Sequence, residues 1–293
     1  MRFGVLLDWM MDVDTMQITR ALEQNPELFL QEGARRKLLW FAEYMDPNFQ
    51  PTAFHKAYYE ILDRFAHRKI QKLIIQAPPQ HGKSQGSSRF LPADMLGLYP
   101  DIRICICSYA ATIAKDFNRD VQRLIDNDKY RAVFPETELN GSNVVTVANN
   151  YLRNSDVFEI VNHTGSLRVV GRGGSLTSKT VDVMIYDDLY KDSSEANSPI
   201  IRAAAWDWFT KVAQTRLHND SQQLIVFTRW HPDDIIGKII ESENVVFVES
   251  WADLENIPAG AWVLVNFEAI KTGAPTEIDP REQGAALWAQ RHS

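Results

Sequence analysis

The sequence predicts an α/β protein with a central, mainly parallel β-sheet flanked by helices. From residue 72 onward, short apolar runs alternate with amphipathic stretches, the order that builds parallel strands joined by covering helices. Turn residues rich in Pro, Gly and Ser follow the first apolar run directly. Because 45% of its 293 residues are hydrophobic and 24% are charged, the chain can bury one large core.

The individual elements follow from hydrophobic spacing and turn residues. Asn25 and Pro26 separate two predicted helices near the start of the chain. Helices are predicted over residues 15–45 (with that break), 54–65, 86–98, 110–126 and 199–217. Strands are predicted over residues 72–76, 103–108, 158–161, 167–170, 181–186, 223–228 and 245–250. The third and fourth strands are expected to form a hairpin.

Three regions are expected along the chain. Residues 1–48 form an N-terminal helical region, and residues 49–250 form the core that holds the predicted strands. Residues 251–293, rich in Pro, Gly and Ala, are interpreted as an appendage.

Charge, cysteines and hydropathy exclude several classes of protein. A formal net charge of −7 argues against a surface coated in basic residues for nucleic acid. Cys105 and Cys107 would point to the same face of a strand, so two buried thiols are expected rather than a disulfide. Apolar runs stay below the ~18 residues of a membrane-spanning helix, and residues 1–11 lack the pattern of a signal peptide.

A loop of phosphate-binding type follows the first predicted strand. Ala77-Pro78-Pro79-Gln80-His81-Gly82-Lys83-Ser84 has the spacing of a P-loop, with Ala77 where the first glycine usually stands. Backbone N–H groups at the start of the next helix would hold phosphate oxygens, and Gln85 completes the nucleotide-contacting stretch. Lys83 would neutralise the β- and γ-phosphates, and the Ser84 hydroxyl would bind Mg²⁺. The alternative is a chance Gly-Lys-Ser in a surface turn.

Two carboxylates end another predicted strand. Asp187 is expected on the metal side of the site, and Asp188 is expected to act as base or to orient the attacking water. The alternative is that the pair caps the following turn. A third piece is the strand tip at Thr228 and Arg229, expected to contact the γ-phosphate or its water and to couple hydrolysis to neighbouring elements. The alternative there is a plain strand end with an exposed arginine.

These pieces together resemble the ATPase (motor) half of the large terminase subunit of tailed bacteriophages. The resemblance also rests on residues 171–177, on 191–199 with the later Trp206, Trp208 and Thr215, and on residues 228–234. Residues 284–288 resemble the segment that precedes the nuclease domain of that family. The likeness runs from about residue 51 to the end of the chain.

The resemblance implies a P-loop fold of the additional-strand, conserved-glutamate type. It implies an ATPase with ATP and Mg²⁺ as cofactors, and translocation of double-stranded DNA into a procapsid. The implied partners are DNA, the portal protein, a small terminase subunit and further copies of the chain in a ring, a pentamer in the family. The chain itself is expected to lack nuclease activity, to act in the host bacterial cytoplasm and to have no membrane partner.

Some site residues depart from the family pattern. Phe54 and His55 stand in the segment that resembles the family's adenine-reading motif, although a helix start packed on the core explains them equally well. Arginine is often found where Gln80 and Lys179 stand, and glutamate is common in related motors where Asp188 stands. Lys179, Arg172, Arg216 and Arg229 are candidates for the cation that stabilises the transition state, with Lys179 and Arg172 preferred as catalytic.

Other classes of protein explain parts of the pattern. Another P-loop translocase of helicase type is the main alternative, but no second set of motifs follows Thr228. A small-molecule kinase would need a lid and an acceptor pocket, and a decayed, non-catalytic scaffold is disfavoured by Lys83, Ser84 and Asp187. The basic clusters at residues 35–37 and 64–69 are interpreted as solvated helix faces.

Overall fold

The computed structural model describes residues 25–145, 150–176 and 180–291. In these ranges it confirms the predicted α/β class, with eight strands in one sheet of order β3-β4-β2-β5-β6-β1-β8-β7. The predictions for residues 15–24 and for Lys179 lie outside the described ranges. The strands are β1 (Lys72–Gln76), β2 (Arg103–Ser108), β3 (Val157–Glu159), β4 (Ser166–Gly171), β5 (Val181–Asp187), β6 (Leu217–Phe227), β7 (Val245–Phe247) and β8 (Trp262–Asn266).

Strand order brings the predicted motifs to one edge of the sheet. Strand β6 lies between β1 and β5 and pairs with both in parallel. Gln76 at the end of β1 stands opposite Phe227, and Asp187 at the end of β5 stands opposite Val226. The P-loop, the carboxylate pair and Thr228 therefore all emerge at the carboxyl ends of adjacent strands, where α/β proteins bind ligands. The inserted strand β6 agrees with the additional-strand type of P-loop fold that the resemblance implies.

Helices cover both faces of the sheet. Successive side chains of a strand alternate between the faces: Leu73 and Ile75 of β1 belong to one apolar cluster and Ile74 belongs to the other. The α-helices are Pro26–Arg36, Leu38–Met45, Ala53–Ala66, Lys83–Gln85, Leu91–Leu98, Ala111–Ile125, Asp128–Val133, Ser193–Asn197, Pro199–Trp208 and Ile235–Ser242. The first three pack into the same cluster as Leu73 and Ile75, so residues 26–66 are continuous with the core. The predicted division at residue 48 remains a prediction.

Two predicted helices contain irregular turns. The helix after the P-loop changes to a π-helical turn over Gly86–Phe90 before it continues at Leu91. The helix that starts at Pro199 changes to a π-helical turn over Phe209–Ala213 and ends in a 3₁₀ turn. Turns with i→i+5 hydrogen bonds rotate the side chains that follow them, and they are frequent at functional sites.

The interpretation of residues 251–293 as an appendage is wrong for its first part. Strand β8 lies within the sheet, parallel to β1 on one side and to β7 on the other. Trp262, Val263 and Val265 are fully buried. A strand whose two faces are both covered buries successive side chains, so its sequence is a continuous apolar run. The apolar run from residue 261 to residue 265 is five residues long and follows Pro258 and Gly260, so the Pro- and Gly-rich composition of the segment concealed the strand.

The two cysteines behave as predicted. Cys105 and Cys107 are free thiols in β2, both buried in the same apolar cluster. Burial raises the pKa of the Cys105 thiol to about 12. Both thiols therefore stay protonated and pack as small apolar groups. Among the helices of the described ranges, none has the length and apolar character needed to cross a membrane.

Candidate nucleotide-binding site

The P-loop connects β1 to the helix that begins at Lys83. Gly82 has a φ of 79°, a left-handed conformation that glycine adopts without steric cost. Gln80 has a φ of 62°, which costs a non-glycine residue on the order of 1 kcal/mol. The N–H groups of Gln85 and Gly86 donate to the Gly82 carbonyl and start the helix. Both left-handed residues help turn the loop tightly between strand and helix, which is the backbone shape that a phosphate cradle needs.

Lys83 joins the three predicted motifs. Its Nζ lies 2.7 Å from Oδ2 of Asp188 and donates to Oγ1 of Thr228 at 2.9 Å. Its backbone carbonyl accepts from the hydroxyls of Tyr58 (2.7 Å) and Ser87 (3.0 Å). The residue is buried, so its ammonium group is held in place at the carboxyl edge of the sheet. The predicted meeting of P-loop, carboxylate pair and strand tip is therefore what the structure shows.

Asp187 sits among hydroxyl groups. Ser84 Oγ donates to its Oδ1 at 2.9 Å, Ser88 donates to its Oδ2, and Ser87 contacts the same oxygen at 3.4 Å. Burial first, and the neighbouring Asp188 charge second, raise the pKa of Asp187 above its ordinary value, while Lys83 and the hydroxyls oppose this. The Ser84 hydroxyl and the Asp187 carboxylate are hard oxygen ligands of the kind that Mg²⁺ prefers, and the two atoms are close enough to share one ion.

Ser87 and Ser88 were missed by sequence reasoning. They lie on the π-helical turn, three and four residues after Ser84, and hydroxyls from residues 84, 87 and 88 converge on one carboxylate. Three serines within five residues of the P-loop lysine were the available signal. Residues at i, i+3 and i+4 share one face of a helix, so this spacing is compatible with a common partner.

Asp188 is aligned by its backbone and by Thr228. Its φ is 41°, and its backbone N–H donates to the Val226 carbonyl at 3.1 Å. Its Oδ1 accepts from the Thr228 N–H at 2.7 Å. The side chain is 25% exposed, so it reaches solvent on one side while Lys83 and Thr228 fix it on the other. A fixed and partly solvated carboxylate of this kind can orient or deprotonate a water molecule.

Thr228 and Arg229 face in different directions. Thr228 contacts Lys83 and Asp188, whereas Arg229 forms an ion pair with buried Asp234 (3.1 Å) and donates to the Pro232 carbonyl (2.8 Å). Asp234 caps the helix Ile235–Ser242 by accepting from the Gly237 N–H at 2.9 Å. Arg229 thus ties the end of β6 to the next helix, an arrangement that suits the predicted coupling role.

The structure does not place Arg172 beside Lys83 or the carboxylates. Arg172 forms an ion pair with Glu195 at 3.0 Å, donates to the Leu189 carbonyl at 2.5 Å and lies over the Tyr190 ring. These contacts attach Arg172 to the segment that follows Asp188. A catalytic role for Arg172 stays a prediction. Arg216 directly precedes β6, at the amino edge of the sheet opposite the P-loop.

Phe54 and His55 lie beneath the P-loop. Both are buried, and the Thr52 N–H donates to Nδ1 of His55 at 3.2 Å in a capping box at the start of the helix Ala53–Ala66. Nε2 of His55 lies 3.4 Å from the point that a Cβ of Gly82 would occupy. This geometry agrees with the interpretation of Phe54 and His55 as a helix start packed on the core. His55 also packs under Gly82 of the P-loop. The assignment of His55 to the adenine ring remains a prediction.

His55 gives an expected dependence of stability on pH. Burial lowers the pKa of His55 to about 4, against 6.5 in its ordinary state. Below pH 6.5 the His55 imidazole therefore binds a proton in the unfolded chain, whereas in the folded chain it binds one only below about pH 4. The folded state keeps its full free energy of unfolding with respect to His55 above pH 6.5 and loses part of it as the pH falls towards 4.

The substitution His55→Gln tests this dependence, because Gln at this helix position keeps the capping box but does not titrate. Urea unfolding at pH 7.5 and pH 5.0 should show a smaller acid loss in the variant, by roughly 1–2 kcal/mol. Equal acid losses in the two proteins would contradict the buried, neutral imidazole.

Comparison with known families decides the classification. The family model described as "Terminase large subunit, T4likevirus-type, N-terminal" matches residues 74–287. The chain belongs to this terminase family. The match extends from β1 through β8 to Leu287, so it includes the segment that sequence reasoning treated as an appendage. Among curated protein sequences, none matches the chain.

Solved terminase structures are similar to this terminase domain at low sequence identity. A mutant large-terminase ATPase domain of Thermus phage P74-26 is 16% identical, over 83% of this chain and 85% of that one, with a TM-score of 0.44. The large terminase of bacteriophage HK97 is 14% identical, over 78% of this chain, with a TM-score of 0.42. The match spans 42% of the HK97 chain. The N-terminal domain of the DNA packaging ATPase of bacteriophage phi29 is 16% identical, over 63% and 86%, with a TM-score of 0.36.

Proposed function

We propose that this chain is the ATP-hydrolysing motor domain of a phage terminase large subunit and that it drives double-stranded DNA into a procapsid. The supporting observation is the position of the Lys83 ammonium group, within 3 Å of Asp188 and Thr228, on a loop whose next residue contacts Asp187. Family membership supports the packaging role, and the portal protein, a small terminase subunit and a ring of further copies are the proposed partners.

The proposed reaction follows from the positions of the side chains at the carboxyl edge of the sheet. Backbone N–H groups of the P-loop and Lys83 bind the β- and γ-phosphates of ATP. Ser84 and Asp187 would hold Mg²⁺, whose charge offsets that of the phosphates. Asp188 orients the attacking water and accepts its proton, since Thr228 and Lys83 fix the direction of its carboxylate.

Hydrolysis alters the contacts of Thr228, and Arg229 passes that change to the helix capped by Asp234.

The transition-state cation is proposed to come from a neighbouring copy in the ring. In the described ranges, Lys83 is the cation that contacts Asp188, while Arg172 and Arg229 form ion pairs with Glu195 and Asp234. A guanidinium supplied in trans contributes ~10³–10⁵ in rate to related phosphoryl-transfer enzymes. The isolated domain is therefore expected to hydrolyse ATP slowly, and the ring to hydrolyse it faster. The proposed setting is the host bacterial cytoplasm during phage assembly.

ATP hydrolysis measured against protein concentration tests this proposal. Turnover per chain should rise steeply with concentration, and further when double-stranded DNA and portal protein are added. A mock purification from cells that do not express the chain provides the baseline for contaminating activity. Concentration-independent turnover would exclude a cation supplied in trans. Hydrolysis no faster than this baseline under every condition would exclude the ATPase function itself.

A further inference from the structure

The two oxygens of the Asp187 carboxylate have different surroundings. Oδ1 accepts from the hydroxyl of Ser84, a half-buried residue at the start of the helix that follows the P-loop. Oδ2 contacts the hydroxyls of Ser87 and Ser88, and both of these residues are fully buried. One carboxylate oxygen therefore lies beside a partly exposed hydroxyl of the P-loop, and the other lies among hydroxyls of the interior.

Ser88 is the residue whose hydroxyl holds Oδ2. A serine hydroxyl has a single proton to donate. The Ser87 proton goes to the Lys83 carbonyl, because that oxygen lies 3.0 Å from Ser87 Oγ whereas Asp187 Oδ2 lies 3.4 Å from it. The Ser88 hydroxyl is closer to Oδ2 and donates to it. Without the Ser88 hydroxyl, Oδ2 would keep only the long contact with Ser87.

The contacts on both oxygens fix the rotation of the carboxylate. The terminal torsion of an aspartate side chain is broad and roughly two-fold, so a carboxylate anchored at one oxygen can turn and exchange the two. Ser84 and Ser88 are four residues apart on one helical stretch, and strand β5 packs against the turn that carries Ser88. Their hydroxyls bind different oxygens of Asp187, which opposes this rotation.

The fixed rotation has a consequence for a bound metal ion. Oδ1 is the oxygen available to a Mg²⁺ ion that Ser84 and Asp187 would share, because it is the oxygen beside the Ser84 hydroxyl. Such an ion competes with the hydrogen bond from Ser84, since both draw on the lone pairs of Oδ1. The hydrogen bond from Ser88 to Oδ2 does not compete, so it can hold Asp187 while Oδ1 binds the ion.

We infer that Ser88 is a positioning residue of the proposed magnesium site, because its hydrogen bond to Oδ2 directs Oδ1 of Asp187 towards Ser84. The inference rests on the proposed ATPase function. Among the residues that the structure describes, the hydrogen-bond partners of the Ser88 hydroxyl are Asp187 and Ser87. Loss of this hydroxyl should therefore weaken the binding of the metal and leave the binding of phosphates by the P-loop unchanged.

A purely structural role for Ser88 predicts a different result. A donor to a buried carboxylate stabilises the folded chain whether or not that carboxylate binds a metal. Ser88→Ala would then lower the melting temperature and leave metal binding by the folded protein unchanged. Metal affinity therefore distinguishes the two roles, whereas stability does not.

The test compares Ser88→Ala with Ser221→Ala. Ser221 is a buried serine of β6 at the amino edge of the sheet, where its hydroxyl donates to the Val181 carbonyl at 2.7 Å. Each substitution removes one buried hydroxyl, and thermal unfolding establishes that the variants fold. Calorimetry measures ADP binding in the presence of EDTA. Mn²⁺, a paramagnetic substitute for Mg²⁺, is then titrated into each ADP-saturated protein free of EDTA, and its binding is followed by EPR.

Ser88→Ala should weaken Mn²⁺ binding about 10- to 100-fold, the range found when a residue that orients a metal ligand is removed. ADP binding in EDTA should not change. Ser88→Cys keeps the size of the side chain but has a weaker donor, so it should weaken Mn²⁺ binding in the same direction. Ser221→Ala should match the parent protein in both measurements.

The outcomes separate the positioning role from the proposed function. Mn²⁺ binding by Ser88→Ala or Ser88→Cys that equals that of the parent protein overturns the positioning role alone. Equal weakening of ADP and Mn²⁺ binding also overturns it, because the whole P-loop would then have loosened. Absence of Mn²⁺ binding to the ADP-bound parent protein overturns the metal site together with the role of Ser88. Failure of the parent protein to bind ADP overturns the proposed ATPase function itself.

Discussion

Replacing Lys83 with alanine should abolish measurable ATP hydrolysis. The ammonium group is the cation at the junction of the P-loop, Asp188 and Thr228. Its loss removes charge neutralisation of the β- and γ-phosphates, and single preorganised donors of this kind contribute about 10²–10³ in turnover. It also leaves the carboxylates of Asp187 and Asp188 side by side without a cation. ATP binding should therefore weaken together with turnover.

Lys72 provides a matched control at the start of the strand that leads into the P-loop. Lys72 begins β1 and forms an ion pair with Glu243, away from the P-loop. Lys72→Ala removes the same functional group at the opposite edge of the sheet and should leave turnover unchanged. Turnover by Lys83→Ala equal to that of Lys72→Ala would show that the P-loop lysine has no role in hydrolysis.

Replacing Asp188 with asparagine should separate binding from chemistry. The amide oxygen can still accept from the Thr228 N–H, so the local backbone is retained. The amide cannot take a proton from water, and general-base groups contribute about 10²–10⁴ in rate. ATP affinity should stay within a few-fold of the parent protein, because a negative charge near the phosphates has been removed rather than added. Single-turnover hydrolysis should be lost.

Asp192→Asn is the control for this change. Asp192 caps the helix Ser193–Asn197, and asparagine caps a helix about as well as aspartate. The variant makes the same chemical change four residues further along and should hydrolyse ATP normally. Wild-type turnover by Asp188→Asn would assign the water-orienting role to another group.

Sequence reasoning located the site because the P-loop and the carboxylate pair are short and local. The P-loop and the carboxylate pair each come at or just after the end of a strand with an apolar run, residues 73–75 and 183–186, so their position at a sheet edge follows from the fold class. The contact between Lys83 and Thr228 was also predictable in outline, since Thr228 ends a strand expected beside the P-loop strand.

The features that sequence reasoning missed depend on contacts between distant residues. Ser88 reaches Asp187 because strand β5 packs against the helix that follows the P-loop, a contact between residues 99 positions apart in the sequence. Arg172 forms an ion pair with Glu195, and this pairing depends on the path of the chain after β5. Phe54 and Gln290 line one small cleft although more than two hundred residues separate them in the sequence, and only tertiary structure brings such residues together.

The place of β8 in the sheet has a mechanical consequence. Strand β8 runs parallel to β1 and pairs with it along all five residues. A pull on the chain after β8 that acts along the strand direction loads the β1–β8 hydrogen bonds in shear. Bonds loaded in shear share the force and must break nearly together, whereas a peeled strand loses them one at a time. The strand that leads into the phosphate loop is thus held by parallel pairing to the strand that leads into the C-terminal segment.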